Sequence, residues 1–142
     1  MSRKFKMALK YMFLLAVGGS IYILIELLFR GRTHISMFFL GGVCFISVGL
    51  INEVISWDTP LVIQMLIGGM MITLLEFISG CVLNIMLGLG VWDYSGMYGN
   101  VLGQICPLFS FLWVLISGVA IILDDWIRYW FFGEEKPRYT II

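Results

Sequence analysis

The stretch Pro60–Leu87 reads PLVIQMLIGGMMITLLEFISGCVLNIML, and its only charged side chain is that of Glu76. A helix of about 20 apolar residues crosses the hydrocarbon core of a bilayer, because each residue adds about 1.5 Å of length. Asp58 and Thr59 precede the run as a helix cap, and Pro60 is a residue favoured in a first helical turn. The stretch therefore predicts a transmembrane helix.

Three further apolar runs of spanning length flank this stretch, at about residues 7–29, 35–55 and 101–123. After the fourth run, residues 124–132 combine aromatic side chains with Arg128, a mixture typical of the membrane–water interface. We therefore predict an all-α integral membrane protein. It is expected to be a single transmembrane domain over residues 1–142, with four spans (the third at about 60–87) and a short interfacial helix.

The composition supports the same class of protein. The chain is 61% hydrophobic and 13% charged, with a mean hydropathy of +0.99, whereas soluble domains are about half apolar and about a quarter charged. Its formal net charge is zero, which argues against a nucleic-acid partner because such binders carry clustered basic residues. We expect the lipid bilayer to be its immediate environment.

The basic residues predict the orientation, since Lys and Arg accumulate in cytoplasmic segments. Two of them, Arg30 and Arg32, lie between the first and second spans, and none lies in the other two links. The remaining seven lie before or in the first turn of the first span, or follow the fourth span: Arg3, Lys4, Lys6, Lys10, Arg128, Lys136 and Arg138. Both termini are therefore predicted to lie on the cytoplasmic side of the cell membrane.

The two halves of the chain resemble each other. Gly18-Gly19 and Glu26 of the first span match Gly68-Gly69 and Glu76 of the third at an offset of 50 residues. Leu40–Cys44 of the second span and Leu102–Cys106 of the fourth share the pattern LGxxC at an offset of 62. Carboxylates are rare inside spans, so their recurrence predicts a duplicated two-helix hairpin with parallel repeats.

The carboxylates inside the spans are the first candidate site. A charged side chain facing lipid is costly, so Glu26 and Glu76 should face protein or water. Thr73 and Asn84 lie on the same helical stripe as Glu76, and Gln104 is a polar residue of the fourth span. One hypothesis is a substrate or proton site between the repeats. The other is that both glutamates only join helices, with Glu26 paired to the nearby Arg30.

The loop before the fourth span is the second candidate. By the orientation argument it faces outside, and it combines glycines with Trp92, Asp93, Tyr94 and Asn100. Such a loop suits a lid over an external vestibule. The alternative is an interfacial aromatic belt with Asn100 capping the fourth helix.

This sequence lacks the residues that several classes of functional site require. Cys44, Cys81 and Cys106 lie in apolar runs and His34 is the only histidine, so we expect no metal site. There is no GxxxxGK[ST], HExxH or GxSxG motif. We therefore expect no cofactor and no enzymatic activity, and a nucleotide-hydrolysing subunit would have to be a separate chain.

Residues 91–106 and the closing residues add a resemblance to a known family. Val91-Trp92-Asp93-Tyr94-Ser95 and the stretch Asn100–Cys106, followed by Trp113, resemble a bacterial family called putative ABC-transporter type IV permeases. The Gly-Glu pattern of the first and third spans and the stretch Gly133–Tyr139 fit the same family. The resemblance implies a small multi-pass transport component.

Taken together, the sequence favours a membrane-embedded transport component with any ATPase on a separate chain. Four spans are few for a transporter acting alone, so we expect a homo-oligomer or a complex with such a subunit. The alternative is a non-transporting scaffold or regulatory subunit. Nothing in the sequence indicates a particular substrate.

Overall fold

The computed structural model describes residues 2–141, and that range is helical apart from its links and its tail. The elements are α1 (Arg3–Arg30), α2 (Ile35–Gly49), α3 (Ile51–Val54), α4 (Leu61–Gly80), a π-helical segment (Cys81–Met86) and α5 (Pro107–Phe132). Four stretches are long and apolar enough to cross a membrane: Arg3–Arg30, Ile35–Val54, Leu61–Met86 and Pro107–Phe132. This confirms the prediction of an all-helical protein with four spans.

The first helix shows how the sequence sets its limits. The side chain of Ser2 accepts a hydrogen bond from the backbone N–H of Phe5 at 3.2 Å, which caps the start of α1. Gly31 ends the helix in a left-handed conformation with φ of 71°. Glycine adopts that conformation without a steric penalty, so Gly31 separates α1 from α2 within four residues.

The fourth long helix differs from the prediction at both ends. It begins at Pro107 rather than near residue 101, because residues 101–105 form a tight turn with an isolated bridge between Val101 and Ile105. It also continues past Asp124 to Phe132, so residues 124–132 are not a separate helix. The physical reason is that Asp124 is fully buried beside Arg128, so it does not mark a solvated helix end.

Close helix packing depends on paired glycines. A Cβ atom on Gly19 of α1 would overlap Phe38 of α2, and one on Gly69 of α4 would lie 2.9 Å from the Cα of Val114 in α5. Small residues of this kind allow two helix backbones to approach each other in lipid. The helices therefore pair as α1 with α2 and α4 with α5, and α2 also contacts α4 and α5.

These contacts change the predicted correspondence between the two halves. In the first hairpin, Gly19 of α1 packs against Phe38 of α2, and Gly42 of α2 packs against Leu15 of α1. In the second hairpin, Gly69 of α4 packs against Val114 of α5, and Gly118 of α5 packs against Met65 of α4. The first helices of the hairpins thus correspond at an offset of 50, and the second helices at an offset of 76 (114 − 38 and 118 − 42). The offset of 62 is wrong, because residues 102–106 lie before α5. The duplication itself stays a prediction.

The antiparallel helices give the bundle two ends. The terminal end holds the start of α1, the end of α5 and the link 55–60, and Lys10 pairs there with Glu134 at 2.9 Å. The loop end holds the link 31–34 and the loop 87–106. There a guanidinium nitrogen of Arg30 donates to the carbonyl oxygen of Val91 at 2.8 Å.

Candidate functional site

A cavity of about 230 Å³ lies between the four long helices. Its walls are almost entirely apolar and include Ile72 of α4, Phe45 of α2 and Ala120 of α5. Glu76 is the only charged residue among those lining it, and Tyr22, Cys44 and Trp113 lie beside it in the wall. The cavity therefore combines a hydrocarbon-like surface with one carboxyl group.

Glu76 has one bonded oxygen and one free oxygen. Its Oε2 accepts hydrogen bonds from Nε1 of Trp113 at 3.2 Å and from the hydroxyl of Tyr94 at 3.4 Å. Its Oε1 is buried and has no hydrogen-bond partner in the structure, and the residue is only 4% exposed. Buried polar atoms usually have a partner, so this oxygen is the exception in the cavity wall.

The pattern of α4 places Glu76 inside the bundle. Gly68, Ile72, Glu76 and Gly80 are all buried and follow one another at intervals of four residues. Positions four apart lie on one face of an α-helix. That face packs against α2 and α5, and Glu76 lies on it between two glycines.

Thr73 belongs to the helix interface and not to the cavity wall. Its hydroxyl donates a hydrogen bond to the hydroxyl of Ser110 in α5 at 3.1 Å. The residue is half-buried, and the cavity is lined by Ile72 and Glu76 from this part of α4. The structure thus places Thr73 near Glu76 in sequence but directs it to another contact.

Asn84 and Gln104 hold the long loop against the bundle. The amide of Asn84 donates to Oε1 of Gln104 at 2.8 Å, and its own oxygen accepts the backbone N–H of Val91 at 2.7 Å. The amide of Gln104 donates to the carbonyl of Leu102 at 2.9 Å. The structure brings these two predicted residues together, and neither lines the cavity.

Glu26 has the paired environment that the sequence suggested. Its carboxylate accepts a hydrogen bond from Arg30 at 3.0 Å and another from the Thr33 hydroxyl at 2.7 Å. Arg30 in turn donates to the carbonyl of Val91. Glu26 does not line the cavity, so its contacts tie α1 to the following link and the long loop.

The loop 87–106 folds back onto the bundle. Trp92 is 5% exposed and packs with Met37, and its indole N–H donates to the carbonyl of Gln104 at 3.0 Å. Tyr94 stacks on Phe109 with ring centroids 4.8 Å apart. The loop therefore reaches the cavity through the bond from Tyr94 to Glu76.

The remaining loop residues shape its turn. The side-chain oxygen of Asn100 accepts the N–H of Gly103 at 2.9 Å, and Asn100 therefore caps the turn rather than α5. Asp93 is exposed, and the hydrogen bond from the Ser95 amide lowers the pKa of its carboxyl group. The pKa of Tyr94 is raised by burial and by the neighbouring carboxylate of Glu76, so Tyr94 remains a neutral donor.

The sequence reasoning missed a charged cluster at the terminal end. Arg128 is 3% exposed and binds Asp124 at 2.8 Å and Glu53 at 3.0 Å. Asp125 accepts hydrogen bonds from Asn52 and from the Tyr139 hydroxyl at 2.7 and 2.8 Å. The sequence feature that could have indicated this pair is the spacing of four residues between Asp124 and Arg128, which places both side chains on one face of a helix.

A polar cavity of about 340 Å³ adjoins this cluster, and the start of the chain's tail contributes to its wall. Asn52, Asp125, Arg128 and Glu134 contribute to its wall. Burial and the neighbouring Asp125 raise the pKa of Tyr139 in the tail. Backbone bonds from Leu61 and Val62 to the carbonyls of residues 140 and 141 hold the tail on α4.

Metal ligation finds no support in the part of the chain that the structure describes. Within residues 2–141, no group of three or more His, Cys, Asp or Glu side chains is arranged to hold an ion. All three cysteines are free thiols. The expectation of a protein without a metal remains a prediction.

Comparison with known proteins relates the chain to a family. The model of a family described as "Putative ABC-transporter type IV" covers residues 10–136. No curated protein and no solved structure matches the chain. The match confirms the family resemblance carried by residues 91–106, and together with the four long apolar helices it makes this a multi-pass membrane protein.

Proposed function

The chain belongs to the putative ABC-transporter type IV family, and we propose that it is the membrane-embedded component of a transport complex. The observation that carries the proposal is the cavity between the four long helices, which is lined by Glu76, a residue whose buried Oε1 has no hydrogen-bond partner. Binding sites are commonly concave and apolar with a few polar groups that fix the ligand. Ionisable residues inside spans mark such pathways in membrane proteins.

Any energy from ATP would enter this complex through another chain. The 142 residues contain no P-loop motif, and the family description refers to ABC transporters. A separate ATPase subunit is therefore the expected partner, and a homo-oligomer of this chain is the alternative. The short link 55–60 at the terminal end contains Asp58 and follows Glu53, without a basic residue nearby in the sequence. We propose it as the surface that a basic partner would bind.

We propose that both termini face the cytoplasm at the cell membrane. Four spans return the chain to the side on which it starts, and the basic residues favour that side. A reporter that is active only in the cytoplasm, fused after residue 142, should be active. The same reporter inserted at Gly96 in the exposed part of the loop should be inactive.

A scaffold or regulatory role is the second candidate, and specific contacts favour it. Glu26, Thr73, Asn84 and Gln104 all bond to other parts of the chain. Such contacts hold a bundle together without any ligand. In this candidate role, as in transport, we propose that the chain is not an enzyme.

A pull-down in gentle detergent, with the tagged protein taken from native membranes and read by mass spectrometry, tests the proposal. A stoichiometric nucleotide-binding subunit is the expected result. A Glu76→Gln variant should keep that subunit and lose transport. Recovery of the protein alone, or of partners without an ATPase, would contradict ATP-driven transport and favour the scaffold.

A further inference from the structure

We infer that the Glu76 cavity binds a lipophilic amine, a molecule with an apolar body and one protonated amino group, which enters from the bilayer between α1 and α5. This inference deepens the proposed function by naming the class of substrate. It depends on three features of the cavity: where it opens, which charge it lacks and how large it is.

The cavity opens between α1 and α5. Both helices pack on α2 and few of their backbone atoms approach each other, but Tyr22 of α1 stacks on Trp113 of α5 with ring centroids 6.0 Å apart. Ile21 and Ile25 of α1 line the cavity and are 38% and 37% exposed, and Ile116 and Val119 of α5 line it and are 37% and 69% exposed. Apolar side chains at mid-helix face lipid in a spanning helix, so the opening leads to the hydrocarbon core and not to water.

Glu76 has no basic partner among the described residues. Glu26 pairs with Arg30, and Asp124 pairs with Arg128. Among the described residues 2–141, no Lys, Arg or His forms an ion pair with Glu76. Both bonds to its Oε2 come from N–H and O–H donors, so this oxygen acts only as an acceptor.

A cation from a ligand would complete this arrangement. Glu76 lines the cavity, and its Oε1 is buried without a hydrogen-bond partner, which is costly for a carboxyl group inside a span. An ammonium group would donate to that oxygen while its apolar substituent contacts Ile72 and Phe45. A carboxylate or phosphate group would instead face Glu76 with no basic residue in the wall.

The size of the cavity limits the ligand further. Its volume of about 230 Å³ exceeds the roughly 150 Å³ of an engineered apolar cavity that takes up benzene. It is smaller than the usual pocket of a drug-sized ligand. The cavity therefore holds an amine with one ring or part of one alkyl chain. It does not hold phosphatidylethanolamine, whose phosphate would enter together with the amine.

Photo-crosslinking of the purified protein in phosphatidylcholine nanodiscs tests this inference. The probe is a dodecylamine with a diazirine on its chain, and the labelled peptides are mapped by mass spectrometry. We expect labelling within the segments around Cys44, Ile72 and Ile116. Dodecylammonium should compete with the probe, whereas dodecanoate and phosphatidylethanolamine should not.

Two variants with matched controls locate the site. Glu76→Gln should weaken competition by dodecylammonium on the order of tenfold, the effect of losing a charge-assisted hydrogen bond, and Asp58→Asn at an exposed position should not. Ala120→Phe fills the cavity with Glu76 intact and should abolish labelling, and Ala16→Phe on the exposed face of α1 should not. Ala120→Phe decides the question if Glu76→Gln does not fold.

Equal competition by dodecanoate, or unchanged labelling in Ala120→Phe, would overturn the inference. Competition by phosphatidylethanolamine as strong as that by dodecylammonium would overturn the class of ligand. The measurement uses the protein without any ATPase, so it is independent of the pull-down. Amine binding without an ATPase partner would support the amine-binding site and contradict ATP-driven transport. An ATPase partner without amine binding would contradict the site alone.

Discussion

Nε1 of Trp113 in α5 donates a hydrogen bond to Oε2 of Glu76 in α4 at 3.2 Å. This bond joins the two helices of the second hairpin in the wall of the cavity. It also fixes the carboxylate with one oxygen bonded and the other free. The same hydrogen bond therefore stabilises the contact between α4 and α5 and orients the carboxyl group that we propose binds a ligand.

Trp113→Phe should lower the free energy of unfolding by about 1–3 kcal/mol, because a buried oxygen of Glu76 loses a hydrogen-bond donor. Unfolding by SDS titration in mixed micelles measures the change. Trp130→Phe is the control, since the side chain of Trp130 is 66% exposed. A loss no larger than that of Trp130→Phe would contradict a stabilising role for the bond between Trp113 and Glu76.

Arg30→Gln should loosen the loop 87–106. Arg30 joins the carboxylate of Glu26 to the carbonyl of Val91, and a glutamine is too short and uncharged to keep both bonds. Hydrogen–deuterium exchange should become faster in loop peptides and stay unchanged in α2. Arg32→Gln, at an exposed position in the same link, is the matched control and should leave the loop protected.

Gly69→Ala should destabilise the hairpin of α4 and α5 by about 1–3 kcal/mol, the usual cost of overpacking. Its new Cβ atom would lie 2.9 Å from the backbone of Val114, so the helices would have to separate. Gly96→Ala serves as the control because no atom lies within 4 Å of a Cβ at that position. Equal thermal stability of the two variants in detergent would contradict the close packing.

Arg128→Met should cost about 3–5 kcal/mol, since it leaves Asp124 and its neighbours without their buried counter-charge. Asp124 is fully buried, so water cannot replace the guanidinium. SDS titration again measures the change, with Arg138→Met at an exposed position as the control. The double variant with Asp124→Asn should recover part of the loss, and no recovery would contradict a charge-pair role.

The sequence predicted the helices well because each apolar run is long enough to decide its own structure. Pro60–Leu87 and 7–29 contain few charges, and their environment follows from length and hydropathy alone. The start of α5 was mistaken because Leu102–Cys106 is apolar too. Its left-handed turn at Leu102 and Gly103, with φ of 54° and 71°, depends on contacts with Asn100 and Tyr94 and not on composition.

The site was predicted only in part. Glu76 stood out because a carboxylate is rare inside a span, and the pairing of Glu26 with Arg30 followed from their spacing of four. Asn84 and Gln104 were identified as polar, but their common role in holding the loop depends on a fold that places residues 20 positions apart in contact. The burial of Asp124 and Arg128 was missed because acidic residues after an apolar run are typical of its end.

¹⁹F NMR can show whether the Glu76 cavity is a binding site open to the bilayer. Protein labelled with 5-fluorotryptophan has five tryptophans, and Trp113→Phe identifies the signal of the one in the cavity wall. Adding dodecylammonium should shift the Trp113 signal strongly, and equal dodecanoate should not. The Glu76→Gln variant should lose that shift. A Trp113 signal that responds to neither amphiphile, or equally to both, would contradict amine binding in the Glu76 cavity.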